Sequence, residues 1–401
     1  MPFGEISQSS VAPTSAEMLA NEPILVSSDN TSLTSTWGAG PTSADWDAFV
    51  ESCPNGHHEQ TSLWGQVRSR FGWQILRLVV REESRIVAGV QMMIRSLGRL
   101  GRVGYVTYGP IFGVQNPDLR ALVIRELRLR AKSLGLICLV LGLPYDAESL
   151  APQLVQAEFF RKAPKMPPKF LAATYLIDLT NNPEEILGRM RPHTRRNIRL
   201  AARKGIRVVE GSASDVGTFR RLMDSLCDRR QTAPNPPQPD FFCRLWEGFH
   251  PRGWIRLFLA FHGEEAVSGA LAFPFGEYVR VWKVGWSGRF GQDKPNEALW
   301  WAAIQWAQRN AFRYFDFVGI DAEYARARIT EKGEVPRTMN EDSFKLGFGG
   351  DVKLLPGAYC YSPNPIIRTA LRCGLPRLLA TPAFVKAARS IWQEGYRIQT
   401  P

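Results

Sequence analysis

Few residues of this chain combine a reactive type with a setting in which they could act. Asp316 and Asp321 flank the end of a short aromatic stretch, Tyr314 to Val318. A carboxylate at such a strand end either takes a proton from an amine acceptor or caps the turn that follows. Lys345 is a single cation inside the aromatic, glycine-punctuated run Ser343 to Gly350. Asn296 follows Pro295 at the start of an apolar-periodic segment. Together they mark a helix N-terminus, and such ends attract phosphates and carboxylates. Arg191, Arg195, Arg196, Arg199, Arg203 and Lys204 crowd one segment, where a charge run serves either as a solvated face or as a polyanion contact.

The motifs that would be specific on sequence alone are missing. The chain has no H-E-x-x-H, no G-x-x-x-x-G-K-[ST], no G-x-S-x-G and no glycine-rich dinucleotide fingerprint after a strand. His57, His58, His193, His250 and His262 lack metal-ligand spacing, so no metal site is expected. The six cysteines form no C-x-x-C, which argues against a zinc knuckle or a disulfide framework and for a reducing, cytoplasmic compartment. No window approaches the roughly 18 consecutive apolar residues of a membrane span. A formal charge of +12 points to a polyanionic partner or surface, such as nucleic acid, nucleotide-linked substrates or anionic lipid, or to a basic solvated exterior.

The elements that must position these residues follow from periodicity. Residues 1 to about 35 are rich in Ser, Thr, Ala and Pro and read as a flexible leader. A first domain, 36–180, begins with two helices, near Asp45 to Val50 and Ser62 to Phe71. Strands follow at Gln74, Arg85 and Val103, then a helix from Asn116 to Leu134 and strands at Leu136 to Gly142 and Ala173 to Leu179. A second domain, 181–360, repeats the plan. It comprises one long basic helix from Asn182 to Gly205, helices at Ser214 to Arg230 and Asp240 to Phe249, and a meander ending at Trp286. The helix from Pro295, the strand from Tyr314 and a polar loop from Ile320 to Asp342 complete it. A basic helical tail spans 361–401 and lies either on the second domain or on an anionic membrane surface.

Four segments carry a family resemblance: YVTYGPIF, RMRPHTRRNIRLAARKGIRV, PNEALWWAAIQWAQRNAFRYFDFVG and FKLGFGG. In this order and spacing the chain resembles the Fem aminoacyltransferase family (FemABX), within the GNAT-like N-acyltransferases. The resemblance implies an α/β fold of two GNAT-like domains, each a mixed, largely antiparallel sheet flanked by helices. It implies transfer of an amino acid from aminoacyl-tRNA to a peptidoglycan precursor. Lys345, after Phe344, corresponds to the family's catalytic-region lysine, where a fixed ammonium would stabilise the tetrahedral oxyanion of acyl transfer. Arg195, Arg196 or Arg199 would meet acceptor phosphates through bidentate contacts. Tyr105, Tyr108, Gly109 and Pro110 match the Y-x-x-x-G-P stretch beside the acceptor cleft. The Asp that often follows is replaced here by Ile111, Phe112 and Gly113, which puts the usual acceptor in question.

The expectation is therefore acyl or aminoacyl transfer to an amine, with no tightly bound cofactor. The donor would be charged tRNA or, alternatively, acyl-CoA or an acyl carrier. Ser287 to Asn296, SGRFGQDKPN, does not fit the [QR]-x-x-G-x-[GA] pyrophosphate loop and disfavours a conventional acetyl-CoA site. The acceptor would be a cell-envelope precursor, and no DNA partner is expected. Peripheral contact at the inner membrane face stays open. Two alternatives remain: an N-acyltransferase acting on an amino sugar or lipid-linked saccharide with a thioester donor, and a non-catalytic binding scaffold.

Overall fold

Side-chain caps set the helix starts that the sequence advertises. In the computed structural model, which describes residues 24–28, 31–39, 43–162, 170–330 and 341–373, Asn116 accepts from the Asp118 and Leu119 N–H groups ahead of Pro117. Asn182 forms a reciprocal capping box with Glu185. These caps satisfy N–H groups that have no partner inside the helix.

The first region runs β1 (Ile24–Ser28), β2 (Thr31–Gly38), α1 (Ala44–Ser52), α2 (Ser62–Ser69), β3 (Gln74–Glu82) and β4 (Arg85–Ser96). It continues with β5 (Arg102–Val106), β6 (Ile111–Phe112), α3 (Pro117–Ser133), β7 (Leu136–Gly142), α4 (Ala151–Gln156) and β8 (Phe160–Arg161). Next come β9 (Ala173–Asp178), α5 (Pro183–Arg189), α6 (Pro192–Arg203), β10 (Ile206–Glu210), α7 (Val216–Arg229), α8 (Phe241–Phe249), β11 (Arg256–His262), β12 (Glu265–Phe275) and β13 (Tyr278–Trp286). The chain then forms α9 (Pro295–Arg309), β14 (Tyr314–Asp316), α10 (Ala322–Thr330), α11 (Glu341–Leu346), β15 (Asp351–Leu354), β16 (Ala358–Tyr361) and α12 (Pro365–Cys373).

Two mixed sheets result. One has the order β1-β2-β3-β4-β5-β7-β16-β8 with β6 on β4, and the other β10-β11-β12-β13-β14-β9-β15. In each, an antiparallel meander meets one parallel neighbour, β5 with β7 and β13 with β14, after a crossover helix. The parallel contacts require that crossover, because a tight turn joins only antiparallel strands. The expected pair of GNAT-like sheets flanked by helices is present.

Their boundaries differ from the expected ones. Strand β1 and most of β2 lie within the stretch read as a leader, and β2 pairs with β3 from Leu33↔Glu82 to Gly38↔Arg77. Strand β9, read with the first domain, belongs to the second sheet, and β16 returns to the first by pairing with β7. The sheets thus exchange strands near their borders, which composition does not reveal because buried strands look alike wherever they pair. The basic helix is broken. Pro192 removes a donor and forces Arg191 into the extended region (φ −59, ψ 145), so α5 and α6 are separate. The polar loop contains α10, and Ser343 to Lys345 are helical in α11. Residues 331–340 of that loop, and the tail beyond Cys373, lie outside the described residues.

Three large apolar clusters hold the layers. One packs α3 under the first sheet, through Leu122, Val123, Leu127 and Leu139. Another packs α9 under the second, through Leu299, Trp300, Ala303 and Phe315. The third lies between the sheets and joins Trp64, Trp73, Tyr105 and Val140 to Phe219, Phe241, Leu257, Leu271 and Phe273. The two sheets therefore share a core, with α2, α7 and α8 inside it. The described part of α12 docks on the first domain, where Leu371 is buried and Arg368 pairs with Glu158 at 2.9 Å. Among the described residues no helix is long and apolar enough to cross a membrane.

Candidate active site

The second sheet opens at its centre. Parallel β13 and β14 pair only over Tyr278↔Tyr314, Val279↔Phe315 and Arg280↔Asp316, while β13 continues to Trp286 with β12 on its other side. Beyond Arg280, this edge of β13 has no strand partner among the described residues. An unpaired strand edge next to a gap is a template for an extended ligand chain.

Lys345 fastens the point where β14 turns away. Its Nζ donates to the Val318 carbonyl at 3.2 Å and the Gly319 carbonyl at 2.5 Å, at residues whose φ angles are +50 and +87. Phe344 packs against Trp300 and Phe348 in the core under the second sheet. The glycines after Lys345 are places of close approach. A Cβ at Gly349 (φ +78) would meet the Arg189 carbonyl at 2.5 Å, and one at Gly350 would meet the Leu176 carbonyl at 2.3 Å. The FKLGFGG run is thus pressed between α5 and β9, and Lys345 is aimed by packing on both sides.

Asp316 is fully buried at the domain border. It accepts from Tyr145 Oη at 2.8 Å, Thr174 Oγ1 at 2.5 Å and the Val318 N–H at 2.8 Å, with Arg280 Nε 3.9 Å away. These bonds fill the carboxylate and tie the β7–α4 loop of the first domain to the second sheet. Asp321 is exposed and caps α10, accepting from the Glu323 and Tyr324 N–H groups.

The other expected site residues do not converge. Asn296 accepts from Ser268 Oγ at 2.5 Å near the start of α9. Arg195 donates to the Leu187, Gly188 and Met190 carbonyls and so closes the C-terminal end of α5. Arg196 and Arg199 are exposed. Tyr105 is buried between the sheets, edge-on to Trp73 at 5.5 Å. Tyr108 does reach the border between the two sheets. It sits at φ +50 before the cis Gly109–Pro110 bond, stacks on His57 at 3.8 Å and meets Tyr145 edge-on at 5.9 Å.

Around Tyr108 the fold gathers groups that sequence spacing did not single out. Ligand-type atoms of His57, His58 and Glu59 lie within 4.8 Å of one another, a cluster that the absence of metal-ligand spacing among the histidines did not suggest. From the second sheet come Arg280 and Lys283. A β-bulge between Leu271 and Ala272 pairs Arg280 with Phe273 and Lys283 with Leu271, turning both onto the interdomain face despite their three-residue separation. Burial lowers both imidazoles well below the usual histidine range, and Arg280 adds to the effect. Burial also raises the Glu59 carboxyl and lowers Lys283 to about 8, with Glu59 opposing the latter shift. His57 Nδ1 already accepts the Glu59 N–H at 3.2 Å. With Arg280 and Lys283 facing it, the cluster suits an anion or a proton relay better than a metal cation. A cluster of this kind was detectable in sequence only as the adjacent pair His57 and His58; the β13 residues gave no signal, because the bulge decides their direction.

Comparison with known proteins agrees with this layout. Residues 41–152 match the FemAB family, and residues 188–326 match the Acetyltransferase (GNAT) domain. A lipid II:glycine glycyltransferase of Staphylococcus aureus (strain MRSA252) is 23% identical over 233 residues, covering 54% of this chain and 53% of that relative. The chain therefore spans about half the length of the curated relatives it matches. The crystal structure of FemX has a similar fold, with a TM-score of 0.68 and 18% identity over 84% of this chain and 98% of that one. L-PGS from Bacillus licheniformis is also similar in fold, at TM-score 0.50 and 14% identity over 84% of this chain and 96% of the other. The chain is thus similar to the FemAB family in its first half and to GNAT acetyltransferase domains in its second, on a fold like that of FemX.

Proposed function

We propose that this protein transfers an aminoacyl or acyl group to an amine on a cell-envelope precursor of the peptidoglycan type. The observation that carries the reading is the gap between β13 and β14, bordered by an unpaired strand edge, with Lys345 at one end. The extended arm of a donor would add to the β13 edge as a short extra strand. Its carbonyl would lie near Lys345, whose ammonium would leave the Val318 and Gly319 carbonyls to meet the developing oxyanion. Similarity to a lipid II:glycine glycyltransferase supports an amine acceptor on a peptidoglycan precursor. The basic surface, including exposed Arg196 and Arg199, suits charged tRNA as the donor.

The match of residues 188–326 to an acetyltransferase domain supports a second reading, in which a thioester donor feeds the same gap. A lipid-linked acceptor would bring the protein to the cytoplasmic membrane face.

Purified protein should be assayed with charged tRNA and with acyl-CoA against peptidoglycan precursors and amino sugars. RNase-sensitive transfer is expected, and transfer that persists after RNase treatment would overturn tRNA as donor. Lys345→Ala should lower kcat by about 100-fold or more. A variant that folds and retains full turnover would remove Lys345 from the chemistry.

A further inference from the structure

The border between the two sheets around His57 to Glu59 holds buried donors without hydrogen-bond acceptors. Arg280 is 3% exposed, and its Nε and Nη1 form no hydrogen bond. Its guanidinium lies 4.1 Å from the Tyr278 ring centre and 5.4 Å from that of Tyr145. The nearest carboxylate, Asp316, is occupied by Tyr145, Thr174 and the Val318 N–H. His58 is 1% exposed, and neither of its ring nitrogens has a partner, with one face stacked on Phe273 at 3.8 Å. Buried polar groups are almost always satisfied, so two adjacent exceptions call for a missing acceptor. The rim is more open: Glu59, Tyr108 and Lys283 are each half-buried. Around Glu59 stand the cations Arg68, Lys283 and Arg280, against two carboxylates, Glu59 and Asp316.

We propose that this border between the sheets is a receptor for a substrate carboxylate, gripped by Arg280 with a His58 N–H beside it, while Glu59 at the rim receives an ammonium of the same molecule. The substrate class is then an amino acid or peptide that keeps a free carboxylate, in contrast to a bare amino sugar. A guanidinium held between aromatic rings is a fixed, permanently charged donor set suited to a planar carboxylate. Glu59 at the rim repels a second negative charge, which selects a zwitterionic head over a phosphate dianion. The inference rests on the amine-acylation reading and narrows its acceptor.

The test is binding by the full chain, followed by calorimetry and by the fluorescence of Trp282, whose ring lies 4.7 Å from Lys283 Nζ. The probes are glycylglycine, glycylglycine amide, glucosamine and inorganic phosphate. Saturable binding of glycylglycine is expected, about tenfold or more tighter than its amide, as loss of one charge-assisted partner predicts. Arg280→Gln should erase that preference. Equal affinity for acid and amide in the wild-type protein would overturn the proposal, as would tighter binding of phosphate or no saturable binding of the peptide. The acid–amide comparison needs no variant, so it decides even if Arg280→Gln fails to fold. Because no turnover is required, a failure here is distinct from failure of the transferase reading, which the donor assay tests.

Discussion

Lys283 offers a stability measurement that reads out the border between the sheets directly. Burial moves its ammonium from the ordinary 10.5 to about 8. Between those values the folded state has released a proton that the unfolded state still holds, so stability rises with pH across that window. Below about pH 8 both states are charged and the burial penalty is full; above about pH 10.5 both are neutral and it is gone. At about 1.4 kcal/mol per pH unit the gap corresponds to roughly 3 kcal/mol. Lys283 is only half-buried, and water discounts this to about 1–2 kcal/mol. Urea unfolding of wild-type protein and Lys283→Met, from about pH 7 to about pH 10.5, isolates the effect. The difference between the two proteins cancels other titrating groups, such as the Cys53 thiol, which burial pushes up to about 11. The wild type should gain about 1–2 kcal/mol on the variant over this range. In a Glu59→Gln background the window should begin at lower pH, since the opposing carboxylate is gone. A flat difference would mean that Lys283 is hydrated in the folded protein, and the picture of a desolvated border would fall.

Two further outcomes follow from the border contacts. Asp316→Ala should lower the unfolding free energy by about 3–5 kcal/mol in urea titration, because it strands the Tyr145 and Thr174 hydroxyls and leaves Arg280 without its neighbouring charge. Arg195→Ala should cost about 1–2 kcal/mol of stability by exposing three carbonyls at the end of α5. Exposed Arg196 and Arg199 should behave oppositely: alanine there should leave the melting curve unchanged and reduce the salt dependence of RNA binding, which filter binding at several salt concentrations would read.

Much of the scaffold was legible because local signals and global fold agree. Asn116 with Pro117 and Asn182 with Glu185 announce helix starts in sequence and cap them in space. Leu136 to Gly142 reads as a strand and is one with those same limits, and the second meander ends at Trp286 as read. The segment FKLGFGG stood out by composition, and its glycines are required where it presses on Arg189 and Leu176. The sequence by itself therefore determined the two α/β halves and the succession of meander, helix and strand within each, while β1, the break at Pro192 and the helices on either side of residues 331–340 were not legible.

Only the tertiary structure decided what those residues meet. Asp316 read as either a base or a turn cap at a strand end, and its carboxylate is filled by the Val318 N–H and by partners far off in the chain, Tyr145 and Thr174. Arg195 looked like one of a row of equivalent arginines, yet the break at Pro192 turns it back onto the carbonyls of α5. The exchange of β9 and β16 between sheets, and the bulge that sets Arg280 and Lys283 on one face opposite His58 and Glu59, have no local signature. Capping and periodicity depend on neighbours a few residues apart and can be read along the chain. Pairing register and the meeting of two domains depend on contacts between remote segments, whose free energy is shared across the whole core.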